Sequence, residues 1–167
     1  GSKDTHKVTL ENIIQHSQSV KKGIKKSLLV VDMPKGTYAN KHIAVKNAKL
    51  IMKITKCDAV KLESNNKNFN IIKELVKIKI PVMGHIGFTP QFKKKFKIEG
   101  GTFSGAKKLL KEAKSIEKAG AFSIVLECIA PEASKFITNN INIPTIGIGS
   151  SNNCDGQILV TDDMLGM

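Results

Sequence analysis

Short apolar runs alternate with longer amphipathic stretches along the whole chain. Runs such as Leu28–Val31 and Ser123–Leu126 are typical of strands buried on both faces of a parallel sheet. The amphipathic stretches repeat their apolar residues near the 3.6-residue period of a helix. The predicted helices are Leu10–Val20, Lys41–Ile54, Phe69–Ile78, Ser104–Ala119 and Pro131–Thr138. The predicted strands are Ser27–Met33, Ala59–Glu63, Pro81–Ile86, Phe122–Cys128, Pro144–Gly149 and Gln157–Thr161. This alternation predicts the α/β class.

Polar side chains at the ends of the predicted strands favour a barrel over an open sheet. These side chains are Asp32, Lys61, Glu63, His85 and Glu127. A (β/α)₈ barrel gathers the carboxyl ends of many strands around one mouth, whereas an open sheet concentrates its ligand groups at one switch point. Such barrels usually need about 250 residues, and the chain has 167. We therefore predict one barrel domain over residues 1–167 that lacks two β/α units.

The composition limits the partners that the chain can have. The formal charge is +13 and all 27 basic residues are lysines, so the guanidinium groups that read bases and phosphates are missing. The sequence also has no Trp and a single tyrosine, Tyr38, which leaves few surfaces for base stacking. No apolar run approaches the roughly 20 residues of a membrane span. We expect neither a nucleic-acid nor a membrane partner, and the three widely spaced cysteines favour a reducing cytoplasm.

Two neighbouring strand ends carry a possible cation and anion site. Lys61 and Glu63 are two residues apart, so a strand points both to one face. If that face opens to the barrel mouth, Lys61 can bind an anion and Glu63 can hold Mg²⁺, which prefers carboxylate oxygens. A structural ion pair between the two is the alternative. Asp32 ends the preceding strand, with a helix or turn cap as its alternative role.

The next two strands end in candidates for proton transfer. His85 is either a core histidine satisfied by the backbone or a site residue, and Gly84 and Gly87 allow the close approach that a substrate pocket needs. Glu127 ends an apolar strand, where burial should raise its pKa and suit it to act as a general base. A buried carboxylate satisfied by backbone N–H groups is the alternative.

Five blocks of sequence together identify a family. They are Val30–Pro34, Val60–Glu63, Pro81–Gln91, Leu126–Cys128 and Ile146–Val160. In this order and across essentially the whole chain, they closely resemble ketopantoate hydroxymethyltransferases. The resemblance implies a (β/α)₈ barrel that transfers the one-carbon unit of 5,10-methylenetetrahydrofolate to 3-methyl-2-oxobutanoate. The product is 2-dehydropantoate, a precursor in pantothenate biosynthesis.

The resemblance also implies a role for each candidate. Asp32 and Glu63 match Mg²⁺-site carboxylates, with Asp32 also near the keto acid, and Lys61 matches the substrate-binding lysine. His85 matches an active-site histidine, and Glu127 matches the general base. Family members commonly form a homo-oligomer, a decamer of two pentameric rings. Relative to the family, the two opening strands, another Mg²⁺ aspartate and the C-terminal helices are absent from this sequence.

Some positions depart from the family pattern, and other functions stay open. The departures are Lys35, Ser64-Asn65, Ser150-Ser151 and the short Lys-rich loop Phe92–Lys97. A related Mg²⁺-dependent lyase acting on another 2-oxo acid is a second possible enzyme. A non-catalytic, Lys-rich fragment that binds polyanions is an alternative of a different class, and only the charge favours it.

Overall fold

The computed structural model describes residues 7–64, 68–93 and 95–166. Its helices are α1 (Leu10–Gly23), α2 (Lys41–Thr55), α3 (Phe69–Lys77), α4 (Phe103–Lys118), α5 (Pro131–Thr138) and α6 (Thr161–Leu165). Its strands are β1 (Val30–Asp32), β2 (Ala59–Lys61), β3 (Val82–Gly87), β4 (Ser123–Glu127), β5 (Thr145–Ile148) and β6 (Gly156–Gln157). The predicted alternation of helices and strands is confirmed.

The strands form one parallel sheet in which spatial order follows chain order, from β1 to β6. A doubly wound sheet would reverse its strand order at a switch point. Sequential parallel neighbours joined by helices are instead the arrangement of a (β/α)₈ barrel. The chain therefore folds as an incomplete barrel, as predicted, with β1 and β6 at the two edges of the sheet.

The two faces of the sheet carry different side chains. Side chains alternate along a strand, and Val82 and Ile86 of β3 belong to the apolar core that the sheet forms with the helices. Gly84 faces the same way, because a Cβ atom built there would lie 2.5 Å from Cγ2 of Ile116 in α4. The side chain of His85 consequently points to the opposite face, which is the inside of the barrel.

Polar N-caps fix where two of the helices begin behind the strands. The Asn40 side chain accepts a hydrogen bond from the Ile43 backbone N–H at the start of α2. The Thr102 side chain accepts one from Gly105 at the start of α4. Each cap satisfies a backbone donor that the helix leaves unpaired, so each helix starts at a defined point after the loop at the barrel mouth.

The last predicted strand differs from the structure. The sequence predicted a strand over Gln157–Thr161, but β6 is only two residues long and Thr161 begins α6. Three apolar side chains after β6 are exposed, namely Ile158, Leu159 and Val160. The neighbouring strand β5 ends at Ile148, which the register places opposite Ile158, so the apolar residues from Leu159 onward have no strand to pair with.

Two observations concern the predicted relation of the protein to membranes and the state of its cysteines. Within the described parts of the chain, no helix combines the length and the apolar character that crossing a bilayer requires. Cys57, Cys128 and Cys154 are all free thiols with buried side chains.

Candidate active site

All five predicted site residues lie at the carboxyl ends of four adjacent strands. Asp32 ends β1, Lys61 ends β2 with Glu63 two residues later, His85 lies in the second half of β3, and Glu127 ends β4. Strand alternation places each of them on the face opposite the helix-packed core. The structure therefore gathers the predicted residues on the inner face at one end of the barrel.

Asp32 and Lys61 form an ion pair across neighbouring strands. They are register partners, and Lys61 Nζ lies 2.6 Å from Asp32 Oδ2. The helix-cap alternative for Asp32 is wrong, because Asn40 caps α2. Lys61 does form an ion pair, but its partner is Asp32 rather than the Glu63 that the sequence suggested. The other Asp32 oxygen, Oδ1, is buried and has no hydrogen-bond partner among the described residues.

Glu63 is a buried carboxylate held at one oxygen. Its residue is 2% exposed, and its Oε2 accepts a hydrogen bond of 2.9 Å from the backbone N–H of Gln91. Burial raises the pKa of Glu63 to about 7, and the nearby charge of Lys61 and the Gln91 hydrogen bond limit the rise. The described protein groups thus compensate the negative charge of Glu63 only in part, as expected of a carboxylate that binds a cation.

His85 lies against Glu127 inside the barrel. Its side chain is 1% exposed, and Nε2 lies 3.3 Å from Glu127 Oε2. Neither ring nitrogen makes a hydrogen bond of good geometry within the described residues, although the ring has a polar contact with the backbone of Phe88. Burial and the positive charge of Lys61 lower the pKa of His85 well below its usual value, so the ring is neutral.

Glu127 is a partly buried carboxylate with a raised pKa. Burial raises the pKa of Glu127, the charge of Lys61 opposes the rise, and the charge of Asp32 adds to it. No backbone N–H group of the described residues donates to its carboxylate; the polar contact of this side chain is His85. The alternative of a carboxylate satisfied by the backbone is therefore wrong for the described chain. A carboxylate of raised pKa is a stronger base than an exposed one.

The two glycines around His85 serve packing rather than a substrate pocket. Gly84 leaves room for Ile116 of α4. Gly87 has φ +95°, and a Cβ atom there would lie 2.2 Å from the Glu127 carbonyl oxygen. That carbonyl accepts a hydrogen bond from the Phe88 N–H at 2.8 Å. The predicted close approach at these glycines is present, but the approaching groups are Ile116 and the Glu127 carbonyl, so the glycines hold β3 close to α4 and to the end of β4.

A cavity of about 160 Å³ connects the two candidate cation ligands, Asp32 and Glu63, which both line it. Its other lining residues include Val8, Ile13 and Gln91. Within residues 7–64, 68–93 and 95–166, no cluster of three or more His, Cys, Asp or Glu side chains is arranged to hold a metal ion. Two carboxylates, one with a buried and unpartnered oxygen, nevertheless fit Mg²⁺, which takes few protein ligands and keeps several waters.

Sequence reasoning assigned no role to two residues that contact this site. Gln91 was part of a motif block, but its backbone contact with Glu63 could not be foreseen. Tyr38 was noted only for its rarity, yet its hydroxyl donates to Gln91 Oε1 at 2.6 Å. The Gly-His-x-Gly-x-Thr-Pro-Gln block was the available signal for Gln91, and none pointed to Tyr38.

Two of the departures from the family pattern lie partly within the described residues. Ser64 is buried beside Glu63, and its backbone N–H donates to the His85 carbonyl oxygen at 2.9 Å. Its neighbour Asn65 lies outside the described residues, as does Lys94 of the Lys-rich loop. Within that loop, Lys93 Nζ donates to the Gly87 carbonyl oxygen and pairs with Glu99 at 2.7 Å.

A comparison of structures shows the fold alone. A candidate phosphonomutase from Burkholderia cenocepacia J2315 superposes with a TM-score of 0.73 at 9% sequence identity, over 95% of this chain and 73% of that one. At such low identity the match carries no statement about chemistry.

Sequence comparison establishes the family. A 3-methyl-2-oxobutanoate hydroxymethyltransferase of Pelagibacter ubique (strain HTCC1062) is 54% identical over 163 residues, which are 98% of this chain and 63% of that protein. The enzyme of the same name from Clostridium botulinum (strain Alaska E43 / Type E3) is 51% identical over 171 residues, covering 100% of this chain and 62% of that protein. The chain thus spans somewhat less than two thirds of the length of these relatives. The family model described as ketopantoate hydroxymethyltransferase matches residues 1–167. The chain belongs to the ketopantoate hydroxymethyltransferase family.

Proposed function

We propose that the protein transfers a hydroxymethyl group from 5,10-methylenetetrahydrofolate to 3-methyl-2-oxobutanoate, giving 2-dehydropantoate for pantothenate biosynthesis. The observation that carries the proposal is the ion pair of Asp32 and Lys61 beside the contact between buried His85 and half-buried Glu127 on one inner face. The names of the relatives support the same reaction. Because the chain spans 63% and 62% of these two relatives, the proposal concerns the activity of the complete protein.

Glu127 is the base in this proposal. Its carboxylate takes the proton from C3 of the keto acid, and the electron pair of that C–H bond moves into an enolate. The enolate carbon then forms a bond to the methylene carbon of the folate, and over the whole reaction both bonds of that carbon to nitrogen break. The two nitrogens take up the proton removed from C3 and one proton of water. One water supplies the hydroxyl oxygen, so keto acid, methylenetetrahydrofolate and water give 2-dehydropantoate and tetrahydrofolate. A positioned base of this kind contributes about 10²- to 10⁴-fold to the rate.

Lys61 and His85 bind and orient the reacting groups. The positive charge of the Lys61 ammonium group acts on Glu63, His85 and Glu127. It offsets negative charge on the keto acid as C3 loses its proton. His85 is a neutral ring 3.3 Å from Glu127 Oε2, so it packs against the base without neutralising it. Its unsatisfied ring nitrogens suit it to contact the bound substrate.

Asp32 and Glu63 are the residues that would hold Mg²⁺. When bound there, Mg²⁺ would act as a Lewis acid toward the carboxylate and keto oxygens of a 2-oxo acid. Asp32 would contribute the oxygen that Lys61 leaves free, and Glu63 the carboxylate that Gln91 holds from one side.

The proposed setting follows from the proposed substrates. The partners are a small 2-oxo acid and a folate rather than nucleic acid or a membrane, and the protein acts as a homo-oligomer. Three free, buried thiols support a reducing cytoplasm.

Product analysis of the complete protein tests the proposal. The keto acid is supplied with methylenetetrahydrofolate carrying ¹³C at the methylene carbon, and products are followed by NMR. We expect the label in the new hydroxymethyl carbon of 2-dehydropantoate. Cleavage of a 2-oxo acid without label incorporation would contradict the transferase and favour the lyase. Nucleic-acid binding that persists at about 0.2 M salt, where electrostatic affinity has fallen steeply, would favour the polyanion binder.

A further inference from the structure

A chain of buried hydrogen bonds connects Tyr38 to Glu63 through Gln91. The Tyr38 hydroxyl donates to Gln91 Oε1 at 2.6 Å, and Gln91 Nε2 donates to the Met33 carbonyl oxygen at 3.0 Å. The backbone N–H of Gln91 donates to Glu63 Oε2 at 2.9 Å. Tyr38 is 4% exposed and Gln91 is 6% exposed, so water does not replace these partners easily.

This network leaves Gln91 a single arrangement. The amide oxygen only accepts and the amide nitrogen only donates, so Tyr38 on one side and Met33 on the other fix which way the amide faces. Because both the oxygen and the nitrogen of the Gln91 amide are hydrogen-bonded, the backbone of this residue is also held in place. The Gln91 N–H is thereby aimed at Glu63, although the two residues lie 28 positions apart in the chain.

The network joins three segments at the mouth of the barrel. Met33 directly follows β1, Glu63 follows β2, and Gln91 follows β3. Tyr38 lies in the segment between β1 and α2. Asp32, which ends β1, is therefore the chain neighbour of Met33, and Glu63 accepts the hydrogen bond from Gln91.

We propose that Tyr38 and Gln91 are positioning residues for the Asp32–Glu63 cation site, acting through the Gln91 N–H that orients the Glu63 carboxylate. The inference rests on the proposed Mg²⁺ site but not on the proposed transferase reaction. Partners of this kind that orient a metal ligand typically change metal affinity by about 10- to 100-fold when removed.

The single hydroxyl of Tyr38 allows a narrow test. Tyr38→Phe removes the hydrogen bond to Gln91 and keeps the ring that packs edge-on against Phe92, with ring centroids 6.4 Å apart. Gln91→Met removes both side-chain hydrogen bonds and keeps the backbone N–H that contacts Glu63. The matched control is Ser123→Ala, which removes a buried hydroxyl bonded to the Pro144 carbonyl oxygen at the opposite end of β4.

The measurement is Mn²⁺ affinity of the complete protein, followed by electron paramagnetic resonance, with thermal unfolding in parallel. Mn²⁺ is the probe because it shares the oxygen-ligand preference of Mg²⁺. We expect Tyr38→Phe to weaken Mn²⁺ binding about 10-fold and Gln91→Met to weaken it further. The double variant should lose less Mn²⁺ affinity than the two single losses added together, because Tyr38 and Gln91 belong to one hydrogen-bond network.

The outcomes separate positioning from ordinary loop packing. Ser123→Ala should lower the melting temperature without changing Mn²⁺ affinity. Unchanged Mn²⁺ affinity in Tyr38→Phe and Gln91→Met, with lowered stability, would overturn the proposal, and so would a wild-type protein that does not bind Mn²⁺. If Tyr38→Phe fails to fold, Gln91→Met decides by the same criterion. A wild-type protein that binds Mn²⁺ but makes no labelled product would reject the proposed function and leave this inference standing.

Discussion

Nζ of Lys61 lies 2.6 Å from Oδ2 of Asp32, across the register pair that joins the carboxyl ends of β1 and β2. The Lys61 side chain is 15% exposed, so its charge acts in a medium less polar than water. The same charge lowers the pKa values of Glu63 and Glu127, which burial raises. One lysine thus sets the electrostatics for three carboxylates at the barrel mouth.

Lys61→Ala should weaken keto-acid binding and slow turnover in the complete protein. An anion partner and a group that offsets developing charge are lost together, and removing one such group typically costs about 10²- to 10³-fold in kcat. Steady-state kinetics would report a raised KM and a lowered kcat. Lys21→Ala is the matched control, since Lys21 Nζ lies 3.8 Å from Asp58 Oδ2 away from the site. Unchanged kinetics in Lys61→Ala would remove Lys61 from the active site.

His85 should make the protein less stable as the pH falls below 6.5. The folded protein keeps the pKa of His85 well below its usual value, whereas the unfolded chain takes up a proton near pH 6.5. The folded state is therefore penalised as the pH falls, by about 1 kcal/mol between pH 6.5 and 5.5. The raised pKa values of Glu63 and Glu127 add stability over the same pH range in both proteins. Denaturant unfolding at both pH values should therefore show wild type losing about 1 kcal/mol relative to His85→Gln.

His42→Gln provides the control for this pH effect, because His42 is exposed on α2. The control should show the same change of stability with pH as the wild type. A His85→Gln protein with the same pH dependence as wild type would mean that His85 takes up its proton in the folded state.

Gly84→Ala should destabilise the barrel through α4. The new Cβ atom would lie 2.5 Å from Cγ2 of Ile116, which is fully buried and cannot move aside freely. Overpacking of this kind typically costs about 1 to 3 kcal/mol. Denaturant unfolding would measure the loss, and Ile116→Ala in the same chain should recover part of it. Gly23→Ala, with nothing within 4 Å of its new Cβ atom, should be tolerated. Equal stability of both alanine variants would contradict the packing described for β3.

The local sequence pattern was sufficient to predict most of the strands, because a short apolar run is a property of each strand by itself. The sequence showed that Lys61 and Glu63 share a face, and the structure places both on the inner face. The pairing of Lys61 with Asp32 was not predicted, because it depends on the register between β1 and β2. Register depends on how the hydrophobic patterns of two strands match and on the connection between them, so it cannot be read from either strand alone.

The errors also have physical causes. The apolar residues after Gln157 resemble a strand, but the neighbouring strand β5 ends at Ile148 and leaves the residues beyond Ile158 without a partner strand. The roles of Gly84 and Gly87 could not be separated from sequence, because a glycine can make room for a ligand, a helix or a carbonyl group. The contact between Gln91 and Glu63 uses a backbone N–H, which every residue except proline has.

Exchange of the C3 proton of 3-methyl-2-oxobutanoate with solvent deuterium tests the central claim that Glu127 is the base. The reaction is followed by NMR with the complete protein and Mg²⁺, and without folate, because proton removal precedes attack on the one-carbon donor. Glu127→Gln keeps the shape of the side chain but cannot accept the proton as a carboxylate does.

We predict that exchange by Glu127→Gln falls by about 10²- to 10⁴-fold, while its affinity for the keto acid and for Mg²⁺ stays close to that of wild type. Glu132→Gln, on the first turn of α5, should exchange at the wild-type rate. Wild-type exchange in Glu127→Gln would contradict the account and show that another group removes the C3 proton.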